Sequence, residues 1–137
     1  MITPDQVIAV ARSWVGVRFL HQGRTRNGID CIGLALAVGE ELELLPAGVD
    51  QRNYARHPSS SLLVEEISKV CTPAGVAEPA SLLVIAWGRD PYHVAICTGP
   101  TMIHASYSAR KVVENGFRHP WPKLTRSAWR LPGVAYV

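Results

Sequence analysis

No apolar run in this 137-residue chain approaches the roughly 18 residues that a membrane-crossing helix needs. The first residues, MITPDQVIAVARSW, lack a basic segment followed by an apolar stretch and a small-residue cleavage site, so no secretory leader is read there. A protein cytoplasmic when made, and exported by some other route if at all, is the expectation. Cysteine is sparse: Cys31, Cys71 and Cys97 are odd in number and scattered, which argues against a disulfide framework and against paired CxxC zinc knuckles. Positive charge is in small excess, 14 Lys and Arg against 11 Asp and Glu. Its local concentrations, at 24–26 and 121–130, fall short of the dense stripe of a nucleic-acid binder, although a mildly basic surface suits an anionic polymer. There is no internal repeat and no low-complexity tract. With 47% hydrophobic and 18% charged residues, the composition is that of one globular domain over 1–137.

Thr3, Pro4 and Gln6 have the residue types and spacing of a capping box with proline at the first helical position. Val7, Val10, Ala11 and Trp14 then recur at helical spacing, predicting a helix over roughly 4–15 that Gly16 ends. Residues 16–30, with Gly16, Gly23, Asn27 and Gly28, read as a loop. Asp30 is a good N-cap, and Ile32, Ala35, Leu36 and Leu42 predict a second helix over 31–43 with Cys31 in its first turn. After a loop over 46–60, Ser60 or Ser61 caps a short helix running to about Val70. The period then changes. SLLVIAW (81–87), YHVAICT (92–98), TMIHASY (101–107), KVVEN (111–115) and VAYV (134–137) are short, rich in β-branched or aromatic residues and separated by turn formers. Helices first and strands afterwards predict an α+β fold with a mostly antiparallel sheet of about five strands.

A lone cysteine beside apolar residues is ordinarily core packing. In the first turn of a helix, however, unsatisfied N–H groups and the macrodipole favour the thiolate. Such sites bring a thiol from about 8.5 down to between about 3.5 and 7.5 when a base or cation assists. A base is available if Gly99-Pro100 forms a two-residue turn. Ala95 then lies opposite His104 and His93 opposite Ser106, and the two histidines become diagonal neighbours on one face of the hairpin. A one-residue slip would separate them. A thiolate, a base and a group that orients the base are the parts of an activated nucleophile. Each histidine alone would read as interior packing, and a zinc site from Cys31, His93 and His104 has suitable ligands but no paired spacing.

The blocks GIDCIGL, HVAICTG and MIHAS, in that order, resemble the NlpC-type papain-like cysteine peptidases of bacterial cell walls, in particular the small members encoded with phage tails. The resemblance runs from about Val7 to the C-terminus. It implies a papain-like fold with Cys31 as nucleophile, His93 as base and then acid, and His104 as the orienting residue. It implies an acyl-enzyme route on peptidoglycan stem peptides, often at the bond between D-γ-glutamate and a diamino acid, with no metal or organic cofactor. Phage tail proteins are the implied partners, and a virion tail or the cell wall the implied destination. Phe19 stands where the family commonly has a tyrosine that helps hold the oxyanion. Backbone N–H groups of the helix start, with Gln22 or His21 assisting, are then the expected oxyanion donors. Ile32 follows the nucleophile where many members have serine. Asp30, Phe19, Trp87 and Tyr92 complete the candidate lining of the site, Cys97 and Cys71 read as core, and Arg24 and Arg26 read as solvated loop charges.

Overall fold

The computed structural model describes residues 1–46, 49, 60–86 and 92–136; for residues 60–62 and 92 it describes the backbone only. The first helix, α1 (Pro4–Arg12), starts on the expected box: Gln6 N–H donates to Thr3 Oγ1 at 3.2 Å and Thr3 N–H donates to Gln6 Oε1 at 2.8 Å. It stops at Arg12, three residues before the predicted end, and turns carry the chain to Gly16, whose φ of +97° suits a residue with no Cβ. Val7, Ile8 and Ala11 are its buried face.

The loop over 16–30 contains structure that its composition concealed. A two-residue hairpin, β1 (Arg24–Thr25) and β2 (Gly28–Ile29), pairs Arg24 with Ile29 and Thr25 with Gly28. Before it, the chain runs along the sheet edge: Val112 N–H donates to Val17 O at 2.8 Å and Phe19 N–H to Arg110 O at 2.9 Å. The loop is therefore fastened at both ends before it reaches Cys31.

Helix α2 (Cys31–Glu41) begins where predicted, because the Asp30 carboxylate accepts from Gly33 N–H at 2.7 Å. Gly33 is required by close approach, since a Cβ there would lie 2.4 Å from Gly23 O. Helix α3 (Ser60–Ser68) leads into β3 (Thr72–Ala74). Then follow β4 (Leu82–Ala86), β5 (Tyr92–Cys97), β6 (Thr101–Ser106), β7 (Lys111–Gly116), the single turn α4 (Trp121–Leu124) and β8 (Thr125–Arg130).

The architecture is α+β, with six strands in the main sheet rather than about five, ordered β3-β8-β4-β5-β6-β7 and antiparallel throughout. The unforeseen strands are β3 and β8. The predicted strand at 134–137 is instead a single bridge between Val134 and Ile2; Tyr136 is held by its hydroxyl, which donates to Ala80 O at 2.8 Å.

The sheet buries both faces. Val84, Val94, Ile96, Ile103 and Ala105 pack with Val7, Leu34 and Val38 of the helices, whereas Leu83, Ile85, Ala95, Cys97 and Met102 pack on the opposite side near Trp121 and Leu124. Every residue of β4 is accordingly buried. Cys97 and Cys71 are core residues, as expected.

Candidate active site

The hairpin that carries the two histidines has the expected register. Ile96 pairs with Ile103 and Cys97 with Met102, Thr98 N–H donates to Thr101 O at 2.9 Å, and Gly99 takes a φ of +111°. His93 and His104 share the face of Ala95, Cys97 and Met102 by the period of two. They meet: His93 Nε2 lies 2.7 Å from His104 Nδ1, with ring centroids 4.9 Å apart.

A third residue, absent from the sequence reading, extends this chain. His104 Nε2 lies 2.6 Å from Asn115 Oδ1. Met102 pairs with Asn115 across β6 and β7, so Asn115 is the diagonal neighbour of His104 on the same face. Its place two residues after Val113, in the strand that follows the one carrying His104, was the signal that could have found it. Its amide nitrogen donates to Gly116 O at 3.2 Å, which leaves the amide oxygen for His104.

That oxygen can only accept, so His104 carries its proton on Nε2. Burial lowers the pKa of His104, against the opposing effect of its hydrogen bond to Asn115, and favours the neutral ring. Its Nδ1 is then an acceptor, and the proton between the rings belongs to His93 Nε2. The basic nitrogen of His93 is therefore Nδ1. Trp121 closes the other side of His104, edge to face at 5.4 Å between centroids.

Cys31 approaches β5 from the helix side. Backbone N–H groups of Val94, Ile32 and Cys31 itself act on its sulphur and favour the thiolate. The Val94 nitrogen belongs to the peptide that joins it to His93, so the thiol meets β5 beside the candidate base. These donors do not prevail. Burial, and secondarily the charge of Asp30, push the Cys31 thiol up to about 12. The expected lowering by the helix start is thus overturned: a sulphur 9% exposed loses more solvation than the helix start returns.

Asp30 is turned inward. Besides capping α2 it accepts from Gln22 N–H at 2.8 Å and from Arg24 Nη1 at 3.1 Å, and the Arg24 and Asp30 side chains are 9% and 4% exposed. Arg24 is therefore a buried partner of the helix start rather than a solvated loop charge. Arg26 remains at the surface but is held, with Nη1 donating to Ser13 O at 2.6 Å and its guanidinium 4.0 Å from the Trp14 ring.

Gln22, at a φ of +61°, is brought to the helix start by the bond between its N–H and Asp30. Phe19 and His21 line a separate open pocket of about 450 Å³, where Phe19 meets Tyr107 edge to face at 5.5 Å between centroids. Trp87 and the side chain of Tyr92 lie outside the described residues. Among the described residues no group of three or more His, Cys, Asp or Glu is placed to hold a metal ion, and no helix is long and apolar enough to cross a membrane.

No family sequence model and no curated protein matches the chain. Solved structures do. The NlpC/p60 domain of the peptidoglycan hydrolase SagA superposes with a TM-score of 0.69 at 20% identity, over 95% of this chain and 100% of that one.

This chain has the NlpC/p60 fold.

An NlpC/P60 family protein from Bacillus cereus superposes with a TM-score of 0.72 at 18% identity, over 95% of this chain and 40% of that one. The peptidoglycan hydrolase RipB of Mycobacterium tuberculosis gives 0.63 at 24% identity, over 97% and 65%. The chain thus spans the whole of one NlpC/p60 domain but less than two thirds of the longer Bacillus and Mycobacterium chains. The papain-like expectation for the fold holds.

Proposed function

We propose that this chain is a cysteine peptidase that hydrolyses amide bonds in peptidoglycan stem peptides, with the D-γ-glutamyl–diamino acid bond as the favoured target. One observation carries the reading: on an NlpC/p60 fold, a helix-start thiol lies against the peptide after His93, and His93 is held by His104 and Asn115.

With the resting thiol protonated, attack begins with transfer of the Cys31 proton to His93 Nδ1 as sulphur bonds to the carbonyl carbon. The imidazolium keeps its Nε2–H on His104. Collapse of the tetrahedral intermediate breaks the C–N bond, and His93 gives its proton to the leaving amine. Water then attacks the thioester carbonyl with the same ring as base, collapse breaks the C–S bond and releases the carboxylic acid product, and His93 returns the proton to sulphur. Backbone N–H groups at the start of α2, assisted by Gln22, are the proposed oxyanion donors; His21 is placed with the neighbouring pocket instead. Delivery by a phage tail, with tail proteins as partners, is part of the same proposal and is supported by the sequence resemblance.

The buried, protonated thiol and the phenylalanine at position 19 favour a second reading, a wall-binding or tail-assembly module with little turnover. Incubating the protein and Cys31→Ala with peptidoglycan fragments, and looking for new amine ends by mass spectrometry, decides between them. Products from the unsubstituted protein alone establish the peptidase. Absence of products from both, with binding retained, establishes the module.

A further inference from the structure

The pocket beside the candidate site is walled by Phe19, Leu20 and His21 on one side and by Tyr107, Ser108 and Arg110 on the other. These segments are continuous with the catalytic constellation. The first runs on into Gln22, which bonds Asp30 at the start of α2; the second leaves β6 two residues after His104 reaches its partner. A substrate held at Cys31 would have its flanking groups within reach of this pocket.

Its polar side chains are Arg110, His21, Tyr107 and Ser108, and none of the described residues lining it is acidic. The Arg110 guanidinium makes no hydrogen bond or ion pair among the described residues, so its charge has no internal partner there. Its backbone points the same way. Arg110 has a φ of +63°, a conformation that strains a residue with a Cβ and that glycine adopts freely. The residue is pinned there by Phe19 N–H donating to its carbonyl at 2.9 Å, while Ala109 N–H donates to Ser106 Oγ at 3.1 Å and ties down the turn before it. A costly backbone position thus carries an unpaired guanidinium into a pocket of hydrogen-bond donors.

We propose that this pocket binds a free carboxylate of the peptide substrate next to the scissile bond, with Arg110 as the residue that selects it. The chemistry fits, since a guanidinium pairs with carboxylate in a forked geometry and Tyr107 and Ser108 offer further donors. A γ-glutamyl–diamino acid peptide carries such carboxylates on both sides of the bond. This inference rests on the peptidase reading for its choice of ligand.

The test measures binding, so it does not need turnover. Cys31→Ala protein is titrated calorimetrically with L-Ala-γ-D-Glu-diaminopimelate, with its glutamate α-amide and with its diamino acid amide. One amide is expected to bind about ten- to hundredfold more weakly than the free acid, which also identifies the carboxylate taken. In Cys31→Ala/Arg110→Gly that preference should vanish, while thermal unfolding shows the protein folded, since glycine relieves the backbone at 110. Equal binding of all three peptides, no binding of any, or a preference that survives Arg110→Gly overturns the proposal. Failure of the peptidase reading shows separately, as absence of cleavage by the protein with Cys31 intact.

Discussion

Asp30→Ala tests the claim that the helix start is held by a buried charge pair rather than by a cap alone. Loss of an exposed N-cap costs about 1 kcal/mol. Here the carboxylate also neutralises Arg24, and the two side chains are 9% and 4% exposed. Breaking such a pair from one side removes a buried countercharge and costs about 3–5 kcal/mol, a large part of the roughly 5–15 kcal/mol by which a domain is stable. With a urea dependence of about 1–3 kcal/mol per M, the unfolding midpoint should fall by at least about 1 M at unchanged slope. Asp30→Asn should recover little, because its amide must turn a donor toward Gln22 N–H or Arg24. The double variant Asp30→Asn/Arg24→Gln should be more stable than Asp30→Asn alone, since it removes the buried cation along with its carboxylate. Urea melts of the native protein, Asp30→Ala, Asp30→Asn, Arg24→Gln and the double variant decide the matter. A cost below about 1 kcal/mol for Asp30→Ala, or strict additivity in the double variant, would refute the buried pair.

Asn115→Leu should lower kcat on peptidoglycan fragments by about ten- to hundredfold with KM little changed, because His104 can then take either tautomer; Asn115→Gln should restore part of it, and an equal loss in both would point to folding instead. Iodoacetamide should label Cys31 of the free protein slowly at neutral pH and faster as pH rises through 9, whereas a labelling plateau near pH 6 would reveal a preformed thiolate. Glu114, held down to about 2 chiefly by its hydrogen bond from Arg12, contributes stability above the ordinary carboxylate range that is lost as pH falls through the folded value. Acid melts from pH 5 to 2 should show that loss in the native protein and not in Glu114→Gln. Gly33→Ala should destabilise by more than 1 kcal/mol in urea and reduce activity, because its Cβ meets the backbone at Gly23 O; a neutral result would show that the loop gives way cheaply.

The parts of the site fixed by local chemistry were legible in the sequence. Asp30 announces the start of α2 and hence places Cys31, and the Gly99-Pro100 turn sets the register that joins His93 to His104. What stayed hidden depends on long-range contact. Arg24 looks like a solvated loop charge until the hairpin over 24–29 folds it back onto a carboxylate six residues away. The strand over 125–130 has its burial concentrated at Ala128 and Trp129 beside an arginine at each end, so it carries no clear alternation of its own and is recruited by β3 and β4. VAYV misled in the opposite direction, because Val134 and Tyr136 join the core on the helix side, with Val134 bridged to Ile2, outside the main sheet. The thiol pKa went astray for a related reason. The dipole and N–H groups of a helix start are local, but the burial that outweighs them comes from the whole fold.

The placement of the histidines explains why the sheet must open at this point. His93 and His104 face away from α2 by strand period, while Cys31 packs on the α2 side, so an intact sheet would stand between Cys31 and its proposed base. Alternation resolves how they meet. Thr98 N–H points to β6, hence so do those of Ile96 and Val94, and in a ladder of unchanged register Val94 would donate to Ala105 O. The paired residues instead end at Ile96 and Ile103, and the Val94 N–H acts on the Cys31 sulphur. The thiol thus lies beside the N–H that β6 leaves unclaimed. One ladder hydrogen bond, about 1 kcal/mol of stability, is given up where the sheet opens toward the helix side. The short β5–β6 ladder is therefore a condition of the proposed chemistry, and a change that zipped it further, pairing Val94 with Ala105, would set Cys31 apart from its proposed base His93.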